Sequence, residues 1–151
     1  MAIIVENKKA LFNYEVLEKF KAGIVLSGQE VKSIKTGKIS LQGAFVVLKN
    51  EEAFLIGANI PPYQPKNAPK DYDPQRSRKL LLKKSEIRHL IGKTKQKGLT
   101  MIPLRVYTER GKIKLEFGIA RGKKKVDKRE EIKKREVERE IRRALKRNPK
   151  F

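Results

Sequence analysis

The chain has 151 residues, no cysteine, and 38 basic against 17 acidic side chains, which gives a formal net charge of +21. The lack of cysteine excludes disulfides, thiolate zinc sites and thiol catalysis. The charge indicates a nucleic-acid partner, with an anionic membrane as the less favoured alternative, and no apolar stretch approaches the roughly 20 residues that span a bilayer. The N-terminal segment is too short and too acidic for a signal peptide, so we expect a cytoplasmic protein. The length suits one domain plus a tail.

The first elements predicted along the chain are a strand and a short helix. Apolar and polar residues nearly alternate over residues 11–20, which predicts a strand. The apolar residues 24–26 fit either a hairpin partner or a sharply bent continuation of that strand. Ser27 then opens a two-turn helix, and Gly37 follows its end.

A hairpin, a loop and a strand are predicted in the middle of the chain. Two apolar runs, residues 45–48 and 53–56, are joined by four polar residues and indicate a buried hairpin. Residues 60–74 contain five prolines, which fix φ at several points and predict a loop. The apolar run within residues 78–82 predicts a further strand.

A helix and a second hairpin are predicted before residue 120. Ser85 is a good N-cap for the clearest helix of the chain, whose apolar residues recur at helical spacing. Apolar and polar residues then alternate over 102–106 and 112–119, and Glu109-Arg110-Gly111 supplies the turn between them. Pro103 has no N–H to donate, so its strand must lie at a sheet edge or carry a bulge.

These elements amount to six or seven short, mostly antiparallel strands with one longer and one shorter helix. A small closed or partly open barrel is the economical arrangement, because closure removes exposed edges and buries one face. We therefore predict a mainly β, OB-like barrel over residues 1–121, with helices inserted between its strands.

The predicted tail, residues 122–151, lies within the most basic part of the chain. The last thirty-one residues hold fifteen Lys or Arg and six Asp or Glu, with few apolar side chains. Such a segment buries too little surface to offset its ordering entropy alone. Val137, Ile141 and Leu145 form a thin apolar line at four-residue spacing. We favour a tail that is disordered when free and helical on a charged RNA surface; the alternative is a marginal solvated helix or simple disorder.

The sequence contains no convincing catalytic or metal-binding pattern. Gly92-Lys93-Thr94 lacks the distal glycine of a P-loop and lies late in a helix. His89 is the single histidine, and a lone histidine is usually a solvated residue. Adjacent glutamates at 51–52 and 130–131 point in diverging directions, which favours turn or surface roles over an acid/base pair. We therefore predict no enzyme activity, no metal site and no cofactor.

Two short basic clusters lie in the first half of the chain, Asn7-Lys8-Lys9 and Arg76-Ser77-Arg78-Lys79. Taken alone, each is typical of a solvated surface. Together at the ends of barrel strands they would form one basic face able to release counterions from RNA. Tyr63, Tyr72 and Tyr107 are candidates for stacking on exposed bases, and half-buried packing is the alternative that we favour for Tyr107.

Several linked motifs occur in order over nearly the whole chain. They are Asn7-Lys8-Lys9-Ala10, Ala22-Gly23-Ile24, Gly28-x-Glu30-Val31-Lys32-Ser33-Ile34, Asp73-Pro74-x-Arg76-x-Arg78-Lys79-Leu80-Leu81-Leu82, and Arg121-Gly122-Lys123-Lys124 with Asp127-Lys128-Arg129. Together they resemble the small protein B family, the SsrA-binding proteins of bacterial trans-translation. Three positions depart from the common family pattern: Asn13, Lys21 and Val137.

The resemblance implies a fold and a function. The fold would be a six-stranded antiparallel OB-like barrel with two or three helices and a tail that is unstructured in the free protein, which we expect to be a monomer. The protein would bind the tRNA-like domain of tmRNA and enter a stalled ribosome with it, for rescue and peptide tagging. The tail would then lie in the empty decoding centre and mRNA path. The family is not enzymatic and has no cofactor.

The resemblance and the basic clusters together give the candidate site residues. The RNA-binding candidates are Asn7, Lys8, Lys9, Glu30, Lys32, Arg76, Arg78, Lys79, Gly122, Lys123 and Lys124. The ribosome-binding candidates in the tail are Asp127, Lys128, Arg129, Ile132, Lys133 and Arg135. Glu30 has a structural role as its alternative, because a carboxylate facing phosphates is unfavourable unless it bonds a base, a ribose or a cation. The main rival function is a ribosomal or ribosome-assembly protein that binds rRNA directly; an RNA-processing enzyme and an unspecific polyanion-binding barrel are further rivals.

Overall fold

A computed structural model describes residues 2–123, 135–137 and 139. Residues 2–123 contain seven strands, three α-helices and one short 3-10 turn. None of the described helices has the length and apolar character needed to cross a membrane. The strands are β1 (Ala2–Glu6), β2 (Tyr14–Ile24), β3 (Phe45–Lys49), β4 (Glu52–Ile56), β5 (Arg78–Leu81), β6 (Leu99–Glu109) and β7 (Lys112–Gly122), the helices are α1 (Lys8–Asn13), α2 (Gly28–Lys35) and α3 (Lys84–Thr94), and the 3-10 turn is Pro65–Asn67.

The strands form one antiparallel sheet that closes on itself. Each of β6, β3, β4, β5, β2 and β7 pairs with the next in that order, and β7 pairs again with β6. The pairing between β3 and β6 is short and consists of Val46 opposite Met101. β1 pairs with β6 as a seventh strand. The sheet confirms a mainly β, antiparallel protein. Its seven strands agree with the six or seven counted from the sequence and are one more than the six that the resemblance implies.

The N-terminal region differs from the sequence-based prediction. Residues 11–13 were assigned to a strand, but they belong to α1, and β2 begins only at Tyr14. The Asn7 side chain accepts a hydrogen bond from the Ala10 N–H and caps α1. The helix packs Ala10 onto a small apolar cluster formed by Ile102, Leu104 and Ala120. Tertiary packing therefore overrides the local alternation.

Both predicted hairpins are present, and their turns explain their registers. Asn50 and Glu51, between β3 and β4, have φ of 52° and 60°. Arg110 and Gly111, between β6 and β7, have φ of 51° and 76°. Two successive left-handed residues match the twist of a two-residue hairpin. The register of β6 against β7 shifts just after Pro103, so the bulge alternative for that proline is the one observed.

The helix ends agree with the sequence at α2 but not at α3. Ser27 and Glu30 form a reciprocal capping box at the start of α2, and Gly37 follows its end with φ of 81°. The predicted N-cap Ser85 lies inside α3, whose cap residue is Lys83. The Glu86 carboxylate accepts the Lys83 backbone N–H at 3.1 Å, which is the bond that the third helical residue makes in a capping box.

The core lies inside the ring of strands, with a second small apolar cluster under α1. β7 serves both, because Leu115 and Phe117 face the large core while Ala120 faces α1. Gly118 lies between them at a close approach of β7 to β2. A Cβ at this glycine would lie 2.8 Å from the Glu18 carbonyl oxygen and 2.8 Å from Val16 Cγ1. The absence of a side chain is therefore what lets the two strands pair here.

Candidate nucleic-acid interface

The fold brings together candidate residues from opposite ends of the sequence at α1. Lys8 and Lys9 lie exposed on this helix. Gly122, at the end of β7, pairs with Tyr14, which directly follows α1. The Lys123 N–H donates to the Asn13 carbonyl oxygen at 2.9 Å. The basic motif near residue 8 and the one near residue 123 therefore belong to one surface.

Asn7 lies buried beneath this surface. It is only 8% exposed. Its amide nitrogen donates to the carbonyl oxygens of Pro103, at 3.0 Å, and Leu41, at 3.4 Å, while its amide oxygen caps α1. Asn7 therefore fixes α1 to the sheet and to the segment after α2. We revise its predicted role from RNA contact to positioning of Lys8 and Lys9.

Two clefts of about 330 and 320 Å³ flank α1. Both are lined by Asn7, Lys9 and Gln42, and the first also contains Asn13 and Phe45. Phe45 is 39% exposed. An ammonium group, an amide and an exposed ring are suited to contact a phosphate, a base edge and a base face, respectively. Sequence reasoning missed Gln42 and Phe45, because nothing local indicates that they face a helix more than thirty residues earlier.

A buried ion pair joins α2 to β5. Glu30 and Arg78 have side chains that are 1% and 0% exposed. Arg78 Nε donates to Glu30 Oε2 at 2.7 Å. Its remaining nitrogens donate to the carbonyl oxygens of Ala58, at 2.7 Å, and Pro74, at 2.9 Å. The guanidinium therefore holds α2, the end of β4 and the proline-rich loop in one arrangement.

The second oxygen of the Glu30 carboxylate extends this network to the surface. It accepts the Ser27 N–H at 2.9 Å and a hydrogen bond from Arg76, whose side chain is 44% exposed. Burial would raise the pKa of Glu30, but the Ser27 N–H and the two guanidinium groups outweigh burial and lower that pKa. The carboxylate is thus held ionised, and it fixes the exposed Arg76 guanidinium in place.

Protein encloses the side chains of both Glu30 and Arg78. This burial supports a positioning role for them, which is the structural alternative stated for Glu30, while their contact with RNA stays a prediction. The sequence spacing of 48 residues gave no sign that the two form a pair.

The remaining described candidates lie on α2 and β5. Lys32 is exposed on α2. Lys79 is exposed on β5, with its amino nitrogen 3.2 Å from Glu52 Oε1. It borders a cleft of about 550 Å³ that also contains lysines from β2, β7 and the start of α3. These additional lysines are Lys21, Lys83, Lys84 and Lys114.

The tail candidates fall largely outside the described residues. Lys124, Asp127, Lys128, Arg129, Ile132 and Lys133 are among those for which nothing structural is stated. Residues 135–137 and 139 are helical. The Arg135 guanidinium carbon lies 5.1 Å from the centre of the Phe12 ring on α1.

Two further side-chain predictions concern tyrosine and histidine. Tyr107 is fully buried, with Lys21 Nζ 5.9 Å from its ring centre, so packing is its role, as favoured from the sequence. Burial, with Glu109 and Glu116 nearby, raises the pKa of Tyr107. His89 lies on the surface of α3, with Nε2 2.7 Å from Glu18 Oε2. Among the described residues, no group of three or more His, Asp or Glu is arranged to hold a metal ion.

Comparison with known proteins gives matches over nearly the whole chain. The family model described as SmpB protein matches residues 4–147. The SsrA-binding protein of Acaryochloris marina is 52% identical over 145 residues, which cover 96% of this chain and 94% of that protein. The SsrA-binding protein of Acetivibrio thermocellus is 51% identical over 146 residues, covering 97% and 94%. A solved chain described as "tmRNA-SmpB: a journey to the center of the bacterial ribosome" is 48% identical, with a TM-score of 0.66, and the match covers 80% of this chain and 85% of that one.

Proposed function

The chain belongs to the SmpB protein family, and we propose that it binds tmRNA, the SsrA RNA, and acts with it on stalled ribosomes in bacterial trans-translation. The observation that carries this proposal is the family match over residues 4–147. The strong positive charge of the chain, +21, suits an RNA partner of this kind. We further propose that the protein acts in the cytoplasm, where bacterial ribosomes work, and that it is a non-catalytic adaptor.

We propose that the closed ring of strands is an OB-like barrel. Six strands pair around the ring in the order β6, β3, β4, β5, β2, β7. The inner face holds the large apolar cluster. Closure leaves the outer face and its connecting helices free for a ligand, which is how small barrels of this type bind nucleic acid.

Within this barrel, we propose that the RNA contacts come mainly from lysine and arginine side chains, with Gly122 contributing through its backbone. Lys8 and Lys9 on α1 lie beside Gly122 and Lys123 at the end of β7, and we expect Lys124 to extend this group. Asn7 positions α1, and the buried Glu30–Arg78 pair positions the exposed Arg76. Phosphate contacts of this kind fix the register of the RNA, while the clefts beside α1 offer base or ribose contacts. The full set of proposed contact residues is Lys8, Lys9, Lys32, Arg76, Lys79, Gly122, Lys123 and Lys124.

A gel-shift titration with the tRNA-like domain of tmRNA tests the RNA proposal. Affinity is expected to exceed that for a random hairpin at matched salt and to fall steeply as salt rises. Lys9→Gln should weaken binding and reduce the salt slope by about one. Lys97→Gln, an equal charge change at an exposed residue after α3, is the matched control. Equal affinity for the two RNAs would refute tmRNA binding, and co-sedimentation with ribosomes that lack tmRNA would favour the rRNA-binding alternative.

We propose that the predicted tail, residues 122–151, is directed to the ribosome beyond Lys123, since Gly122 ends β7 and the Lys123 N–H is bonded to Asn13. Within it, Asp127, Lys128, Arg129, Ile132, Lys133 and Arg135 would engage the decoding centre and mRNA path as a helix. The helical residues 135–137 and 139 support this proposal. Deleting residues 126–151 should leave the cooperative unfolding of the sheet and most tmRNA affinity intact, while peptide tagging on stalled ribosomes is lost. If the deletion abolished cooperative unfolding, the tail would instead be part of the core.

A further inference from the structure

Arg135, one of the described helical residues of the tail, lies beside α1, the helix at whose end the tail begins. The Lys123 N–H donates to Asn13, the last residue of α1, and Arg135 lies over the ring of Phe12, the residue before it. The chain therefore leaves the sheet at the C-terminal end of α1. Twelve residues after Lys123, Arg135 lies against the last turn of the same helix. No sequence signal links Arg135 to Phe12, since more than 120 residues separate them.

The contact has the geometry of a cation–π interaction. The guanidinium carbon lies 5.1 Å from the ring centre, within the roughly 6 Å over which a ring face attracts a cation. Phe12 is half-buried on α1, so its ring is held in place, whereas Arg135 is exposed. At such an exposed site the interaction shifts an equilibrium by about two- to five-fold. The contact is therefore weak enough for a competing ligand to displace it.

We propose that Arg135 and Phe12 form an intramolecular clasp that holds the helical residues 135–137 of the tail on α1 until RNA occupies this surface. The release step rests on the proposed RNA-binding function; the clasp itself does not. Lys8 and Lys9 lie on the same helix, which is six residues and about 9 Å long. A nucleic acid bound to these lysines also covers Phe12 and draws Arg135 toward its phosphates. RNA binding thereby frees the tail for a second partner.

The clasp should depend on salt far less than RNA binding does. The clasp involves a single guanidinium, and salt screens both its attraction to the ring and its repulsion from Lys8 and Lys9 over roughly 10 Å at 0.1 M. Attraction between several lysines and RNA, in contrast, weakens steeply as salt rises. In the free protein, the docked fraction should therefore change little over a salt range that strongly weakens RNA binding.

Spin labels can measure the clasp directly, because the chain has no cysteine to interfere. Cysteines replace Leu17, which is 45% exposed on β2, and Glu136, next to the clasp. Double electron–electron resonance then gives the ratio of short to long distances in the full chain. Arg135→Gln and Phe12→Leu should each lower this ratio about two- to five-fold, and Arg139→Gln, the matched charge control in the same helical segment, should leave it unchanged.

Three results would overturn the clasp: no short-distance population in the labelled parent protein, an unchanged ratio in Arg135→Gln, or an equal loss in Arg139→Gln. The release step is tested by adding the tRNA-like domain of tmRNA to the labelled protein while binding is followed by gel shift. Loss of the short distance on binding supports release. Binding without that loss overturns release and leaves the proposed function intact, whereas no binding at all counts against the function instead.

Discussion

Replacing Glu30 with alanine removes the carboxylate that neutralises the enclosed Arg78 guanidinium. Both side chains are at most 1% exposed, so neither water nor salt compensates the remaining charge. Loss of one partner from a buried, hydrogen-bonded ion pair costs about 3–5 kcal/mol of unfolding free energy. Small domains have about 5–15 kcal/mol in total, so the expected loss is a large fraction of the stability.

The neighbouring pair of Lys79 and Glu52 provides the matched control. It is also a pair of one cation and one carboxylate, here Lys instead of Arg, at 3.2 Å, but its side chains are 45% and 47% exposed. Such a surface pair contributes about 0–1 kcal/mol, so Glu52→Ala should change stability little. Equilibrium urea unfolding at pH 7, followed by circular dichroism, compares both variants with the parent chain, and an unchanged slope shows that the denatured state is the same.

A third variant separates the lost pair from the lost volume. Glu30→Ala combined with Arg78→Leu removes both charges, so it should be more stable than Glu30→Ala alone, although the carbonyl oxygens of Ala58 and Pro74 lose their donor. If Glu30→Ala does not fold, Glu30→Gln is measured in its place, because glutamine keeps the shape of the side chain and removes its charge. A Glu30→Ala cost no larger than that of Glu52→Ala would refute the argument that burial gives this pair its importance.

Three further predictions concern local geometry and pH. Gly118→Ala should destabilise the protein by about 1–3 kcal/mol because its Cβ meets the β2 backbone, whereas Gly92→Ala, with open space on α3, should be neutral or stabilise by up to about 1 kcal/mol; both are read from urea midpoints. Asn7→Ala should cost about 1–2 kcal/mol and Asn7→Ser should recover only the capping part, also by urea unfolding. Since the folded pKa of Glu30 lies below its ordinary value of 4.5, its contribution is present above that pH and is lost as pH falls through the folded pKa. Glu30→Gln should lack this part of the acid dependence of stability, and identical pH profiles would refute it.

The sequence predicted elements whose cause is local. The two hairpins depend on turns in which adjacent residues take positive φ, and the turn residues and flanking alternation are visible in the chain. The capping box at Ser27 and Glu30 is likewise a pattern three residues long. Such features require no knowledge of what lies across the sheet.

Elements that depend on distant partners were missed. β1 is five residues long and pairs with β6 about a hundred residues later, so its short apolar run gave too little periodicity. The predicted strand over residues 11–20 included the last three residues of α1, although Asn7 as a cap before Lys8 was a signal that could have identified the helix. The positioning roles of Asn7, Glu30 and Arg78 also depend on contacts with remote carbonyl oxygens and side chains. The family resemblance and the basic clusters, which suggested these residues, carry no information on such contacts.

The hydrogen bond from the Lys123 N–H to Asn13 gives the C-terminal extension a fixed origin. Twenty-eight residues follow that anchor. They reach at most about 100 Å when fully extended and about 42 Å as one continuous helix. These residues can reach any point within a sphere centred on that anchor, so a ligand that binds α1 also fixes the centre of the sphere. If the folded part of the protein rotated on its RNA, the centre of this sphere would move with it. Folding of these residues into a helix would reduce the radius of the sphere by more than half.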